Sequence, residues 1–190
     1  MPAAPLGPSQ GTLVVQPGMS VVAMHRKSSL KIKGSADSVF ADGGVFDFTV
    51  GDTGLTIFGC RYYFITTSSK DRQHIDMMSI GTSNHKVSRP ELEAADAALR
   101  ARLAGDGWLA GHEVYRDAQD RVLHGGAARG PAGAVWLKGD TVLHILTRRM
   151  DDAKAGEARD AGEWIQFVDL ARRDRWPGIE RYVFEPALRQ

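Results

Sequence analysis

The chain has a single cysteine, Cys60, almost no excess of charge of either sign, and no long apolar run. One thiol excludes an intrachain disulfide and any zinc site built from several thiolates. Twenty-four Lys and Arg against 23 Asp and Glu leave a formal net charge of +1, so no overall field steers the molecule toward nucleic acid or an anionic membrane. No apolar stretch approaches the roughly 20 residues that a spanning helix needs, and no membrane span is expected. The first dozen residues lack both a basic start and an apolar stretch, so no signal peptide is expected in them. Their Pro, Ala, Gly and Ser content resembles the mature start of many exported bacterial proteins, and the periplasm and the cytoplasm both fit.

What the chain does contain is strand punctuation. At 190 residues and 43% hydrophobic content it can bury one sizeable core. After an extended segment at residues 1–11, a single α+β domain is expected over residues 12–190. Its first half, 12–81, is rich in Val, Ile, Phe, Tyr and Thr and is cut every few residues by Gly, Pro, Ser or Asp. Strands are expected at 12–16, 20–25, 29–33, 45–50, 54–67 and 74–80. In the third of these, Leu30 and Ile32 alternate with Lys31 and Lys33, the pattern of a half-buried strand.

One helix is expected at 89–104. Ser88 is placed as its N-cap and Glu91, three residues on, completes a capping box, with Val87 able to staple onto Leu92. Pro90 falls in the first turn, where a missing N–H does no harm. Leu92, Ala95, Leu99 and Leu103 form an apolar stripe, and Gly105 ends the helix. Strands resume over 108–185, with a two-residue hairpin at Gly139 and Asp140 and a longer one across 117–120. Strands before a helix and a meander after it, without βαβ alternation, predict a curved or partly barrel-like antiparallel sheet with the helix on one face.

Candidate chemistry is sparse. Residues 148–164 hold Asp151, Asp152, Glu157, Asp160 and Glu163 beside Arg148, Arg149, Lys154 and Arg159. Counted from Asp152 as a calcium loop, Glu163 lands at position 12, but Lys154 and Gly156 stand where oxygen ligands belong. Asp152 and Glu163 therefore remain only an alternative metal pair, and no metal or other cofactor is expected. The mixed charge instead suits a docking loop, with Arg148, Arg149, Asp151, Asp152, Glu157 and Asp160 as candidate contacts for a protein partner.

The six histidines show no zinc spacing. His74 and Asp76 share a strand face, which could hold a metal or pair a base with its orienter. A symmetric 117–120 turn would set Glu113 opposite His124, and His144 falls on the face of Val135, Leu137, Val142 and Leu146. Convergence of Glu113, His124 and His144 would permit general acid/base chemistry in a hydrolase. Cys60 reads as a buried, inert thiol on the face of Phe58, Tyr62 and Phe64. The glycine-rich stretch 125–133 fits neither common phosphate-loop spacing. Arginines interleaved with Trp176 and Tyr182 near the end of the chain are diluted by Asp174 and Glu180, so nucleic-acid binding is not expected. The function expected is a non-enzymatic bacterial binding protein, of the inhibitor or toxin-immunity kind. The hydrolase is the alternative.

Overall fold

The computed structural model describes residues 8–32, 38–40, 44–68, 70, 72–82, 88–116, 119, 122–123, 134–149 and 164–186. The strands are β1 (Thr12–Val15), β2 (Ser38–Phe40), β3 (Phe46–Val50), β4 (Thr56–Cys60), β5 (Tyr62–Thr67), β6 (Ile75–Gly81), β7 (Leu109–Glu113), β8 (Tyr115–Arg116), β9 (Val122–Leu123), β10 (Val135–Lys138), β11 (Thr141–Arg149), β12 (Trp164–Arg172) and β13 (Tyr182–Pro186). Two helices, α1 (Val21–Lys27) and α2 (Arg89–Gly105), complete the α+β architecture. Eight strands form one antiparallel sheet in the order β13-β7-β10-β11-β12-β6-β5-β2, which does not close into a barrel. A small sheet, β1-β3-β4, contains a parallel pair, β1 with β3, and β8 pairs with β9 alone.

The principal core lies between the small sheet and one face of the large one. Leu13, Val15, Phe48 and Val50 from the first, with Leu55 just before β4, meet Tyr63, Ile65, Met78, Ile80, Leu143 and Leu170 from the second, all buried. Phe46 meets the Tyr63 ring edge-on at 5.5 Å between centroids. Full burial of each such side chain stabilises by about 1.5–3 kcal/mol, so this layer is the main source of folding free energy. Lys138 pins the periphery, donating from Nζ to the carbonyls of Thr53 at 2.9 Å and Asp106 at 2.8 Å.

Helix α2 follows its sequence signals. The Glu91 carboxylate accepts from the Ser88 N–H at 2.9 Å and from its hydroxyl at 2.7 Å, and these bonds hold its pKa below the usual carboxylate value. Leu92 and Leu103 are buried and Leu99 is half-buried, but Ala95 is exposed. The helix is held at that level through polar atoms instead. Asp96 accepts from Arg100 Nε at 2.6 Å and from Gln166 Nε2 at 3.3 Å. Gln166, on β12 and only 3% exposed, also accepts from the Thr82 hydroxyl at 2.7 Å. Val87, the expected staple, lies outside the described residues.

Three expected strands are corrected. Residues 20–25 form most of α1, because the Ser20 hydroxyl accepts from Ala23 N–H at 3.1 Å and His25, Arg26 and Lys27 suit the C-terminal end of the helix dipole. A capped turn outweighs the β preference of Val21 and Val22. Residues 29–32 are half-buried at Leu30 and Ile32, as the alternation implies, yet form no strand. The hydroxyls of Ser28 and Ser29 accept from Val14 and Thr12 N–H, each at 2.9 Å, and so occupy the β1 edge that a strand would need. The stretch 54–67 is two strands in different sheets. Gly59, at φ +73°, bulges the β3–β4 pair between Phe46 and Phe48, breaks the alternation and buries Gly59 and Cys60 in succession while Phe58 stays exposed.

Candidate functional site

Residues 150–163 lie in sequence between β11 and β12, which form the longest strand pair among the described residues. Strands β11 and β12 pair over nine residues each, from Thr141 opposite Arg172 to Arg149 opposite Trp164. Asp151, Asp152, Glu157, Asp160 and Glu163 lie outside the described residues, as do the side chains of Arg148 and Arg149. The register still places the roots of the segment, at the end of the hairpin about 27 Å from the Thr141–Arg172 end, given a rise of about 3.4 Å per residue.

Of the acid/base trio, the structure separates the two members it describes. The β8–β9 pair sets Tyr115 opposite Leu123 and Arg116 opposite Val122, one residue away from the symmetric register that would face Glu113 with His124. His124 is outside the described residues. Glu113 stands opposite Tyr182 on β13, where burial first and the Glu113 carboxylate second raise the phenol pKa. His144 lies two strands away on β11, opposite Val135 and Asp169. From strand spacing and rise, the Glu113 and His144 Cα atoms are about 12 Å apart.

His144 is half-buried beneath the Trp176 ring, which meets it edge-on at 5.3 Å between centroids. Burial lowers its pKa, and the neighbouring Asp169 carboxylate acts in the opposite sense. Among the described residues no group donates to the buried Oδ1 of Asp169. His144 belongs to one cross-strand row on the second face of the large sheet. That row runs Phe184, Gly111, Val135, His144, Asp169, Ser79 and Phe64.

The two halves of this face are treated differently. Over β7, β10 and β11 the 3-10 turns at Arg173–Arg175 and Ile179–Arg181 fold back. Trp176, Ile179, Tyr182 and Phe184 pack there against Val135, Leu137 and Val142 as a second small core. The Arg173 N–H donates to the Asp140 carbonyl at 2.7 Å and ties this cover to the β10–β11 hairpin. Over β5 and β6 large apolar side chains meet solvent instead, with Phe64 40% exposed and Met77 37% exposed. Thr66 stands opposite Met77, so Phe64 and Met77 are diagonal neighbours on one face, with Tyr62 and Phe167 half-buried on the same side.

Sequence reasoning did not single out this apolar pair. The available signal was in β5, where Tyr62 and Phe64 on one side and Tyr63 and Ile65 on the other make both faces apolar. That pattern marks a strand with something to cover on each side.

No family model, curated protein or solved structure matches the chain.

Proposed function

We propose that this chain is a binding protein that recognises a protein partner on the open half of the second sheet face, in the manner of a bacterial inhibitor or immunity protein. The observation that carries this reading is the exposed Phe64–Met77 pair on a sheet whose other half is covered by the chain's own 3-10 turns. Interfaces centre on such apolar anchors and surround them with polar groups. In this reading the charges of residues 150–163 act at one end of the face, since the chain leaves and rejoins the sheet at Arg149 and Trp164, five residues along β12 from Asp169 in the row of Phe64. In that arrangement the face contributes the binding energy, and Asp151, Asp152, Glu157 and Asp160 set orientation and association rate. Periplasm and cytoplasm suit the reading equally.

The test compares partner capture from bacterial extract by the native chain, a Phe64→Glu/Met77→Glu variant and an Asp151→Lys/Asp152→Lys variant. The expected result is one stoichiometric protein retained by the native chain, lost with the face variant and weakened by the loop variant, with the loop effect largest at low salt and fading at high salt. Equal retention by the face variant, with its fold intact by circular dichroism, overturns the reading.

A further inference from the structure

At the end of the sheet where β6 begins, the chain builds a cationic concavity that the partner-binding reading leaves unused. Past Pro17 the backbone turns at Gly18, at φ +86°, and runs alongside the start of β6. The Gly18 N–H donates to the Ile75 carbonyl at 2.7 Å, the Ile75 N–H to Met19 at 2.9 Å and the Val21 N–H to Gln73 at 2.8 Å. This segment takes the place beside β6 that β12 occupies no further than Ala171. Arg172, the last residue of β12, lies against the crossing, and a Cβ on Gly18 would stand 3.0 Å from its Cδ. Glycine is thus required twice here, for the left-handed backbone and for the room that the arginine takes.

The result is a cavity of about 380 Å³ lined by Ser68, Lys70, His74, Asp76, Arg172 and Arg175. Among the described residues, three permanent cations, drawn from the β5–β6 turn, the end of β12 and the following 3-10 turn, face one lining carboxylate. Arg172 is already held by Asp174, with Nε–Oδ1 at 3.0 Å and Nη2–Oδ2 at 3.1 Å. Arg175 is not held in this way, since its Nε is 3.9 Å from Asp76 Oδ1 and both side chains are largely exposed, an ion pair of little worth. The Lys70 ammonium has no partner among the described residues, while its backbone N–H donates to the Ser68 Oγ at 3.3 Å and leaves the hydroxyl hydrogen to point elsewhere.

We propose that this cavity binds the phosphate or carboxylate group of a small hydroxylated ligand, with Lys70 and Arg175 as its principal contacts. Ser68 adds a neutral donor, and Arg172 is a fixed positive wall. An arginine fork and a lysine point charge together match an oxyanion's several acceptor oxygens, and a concave wall concentrates their field. The body of the ligand extends across Gly18 and Arg172 into an adjoining cavity of about 580 Å³, where Gln16, Asp52 and Asp140 present acceptors for hydroxyl groups. His74 and Asp76, which share a strand face by sequence, both line this cavity, and their role in this proposal is to line an anion site.

The experiment is calorimetry and thermal melting of the full chain with glycerol phosphate, inorganic phosphate, a sugar acid and uncharged glycerol, at ionic strength held constant with sodium chloride. Saturable binding and a concentration-dependent rise in Tm are expected with at least one acid and not with glycerol. Whichever acid binds more tightly identifies the head group. Lys70→Gln, at an exposed turn, should weaken that binding several-fold, and Lys70→Gln/Arg175→Gln at least tenfold. Arg173→Gln, outside the cavity, should leave it unchanged. Binding of equal strength in the double variant, the same Tm rise with sodium chloride alone, or no saturable response to any of the acids at millimolar concentration would overturn the proposal.

Discussion

Asp169 and His144 stand directly opposite each other in the β11–β12 pair, on a face where Trp176 closes over the imidazole. Burial disfavours the imidazolium, so the His144 pKa lies below its ordinary value despite the adjacent carboxylate. Between the folded value and an unfolded value of about 6.5, the unfolded chain binds more protons than the folded one. Stability from this group is therefore complete above that unfolded value and declines as pH falls through it toward the folded value. The gap between the urea midpoints of the native chain and His144→Gln, measured from pH 5 to pH 8, should widen as pH rises toward about 6.5 and stay constant above pH 7. Asp169→Asn, which removes the one charge favouring the protonated ring, should carry the decline to still lower pH. An unchanged pH profile in His144→Gln would assign the acid sensitivity elsewhere.

Gly111 governs how the last strand docks. A Cβ there would meet the Val135 carbonyl oxygen at 2.9 Å, the Phe184 ring at 3.0 Å and the Tyr182 ring at 3.3 Å. Backbone and two packed aromatic rings cannot all yield, so Gly111→Ala should cost about 1–3 kcal/mol by overpacking. Amide exchange should localise the loss to β13 and the neighbouring 3-10 turns, with β6 and β12 still protected. Uniform loss of protection would show instead that the small second core folds as one unit with the principal core.

Gln166 links the sheet to α2 through the Thr82 hydroxyl and the Asp96 carboxylate. Gln166→Leu preserves much of the volume but leaves Thr82 and Asp96 each short of a partner. The expected loss is about 0.5–1.5 kcal/mol, the net worth of the hydrogen bonds removed, because Asp96 keeps Arg100 and the part-buried Thr82 hydroxyl keeps the carbonyl of residue 166 at 3.4 Å. Exchange should quicken in α2 before it does in the strands. A variant as stable as the native chain would mean that Leu92 and Leu103 alone hold the helix.

Cys60 is fully buried, and burial raises its thiol pKa far above the ordinary range, with the Asp47 carboxylate adding to the effect. Labelling with a thiol reagent at pH 8 should be negligible in the folded protein and complete in denaturant. Fast labelling under native conditions would reveal a local opening of β4, the strand interrupted at Gly59.

Local interactions made α2 and the 139–140 hairpin legible in advance. Ser88, Glu91 and Pro90 act within one helical turn, and Gly139 at φ +58° closes the hairpin with Lys138 opposite Thr141, so neither depends on distant residues. Residues 20–25 misled for the converse reason. Val21 and Val22 favour strand, and the competing Ser20 cap prevails only because Met24 is buried and residues 18–21 bond to Gln73 and Ile75. The candidate contacts in 150–163 were named from charge alone, and their side chains lie outside the described residues. The exposure of Phe64 and Met77 is not legible in the sequence, because which apolar face of a strand goes uncovered depends on elements far away in sequence.

The sequence by itself determined the class of fold, the position of the long helix, the alternation of Leu30 and Ile32, and the absence of any apolar run long enough for a spanning helix. Those follow from periodicity, capping and composition, each set by residues within a few positions of one another. Tertiary structure alone decided that β1 would pair parallel with β3, that His144 would face Asp169 under Trp176, and that Lys70, Arg172 and Arg175 would gather beneath Gly18. Each of these depends on strand order and register between segments tens of residues apart. Competition among whole sheets for the same buried faces sets that order, and no local pattern encodes it.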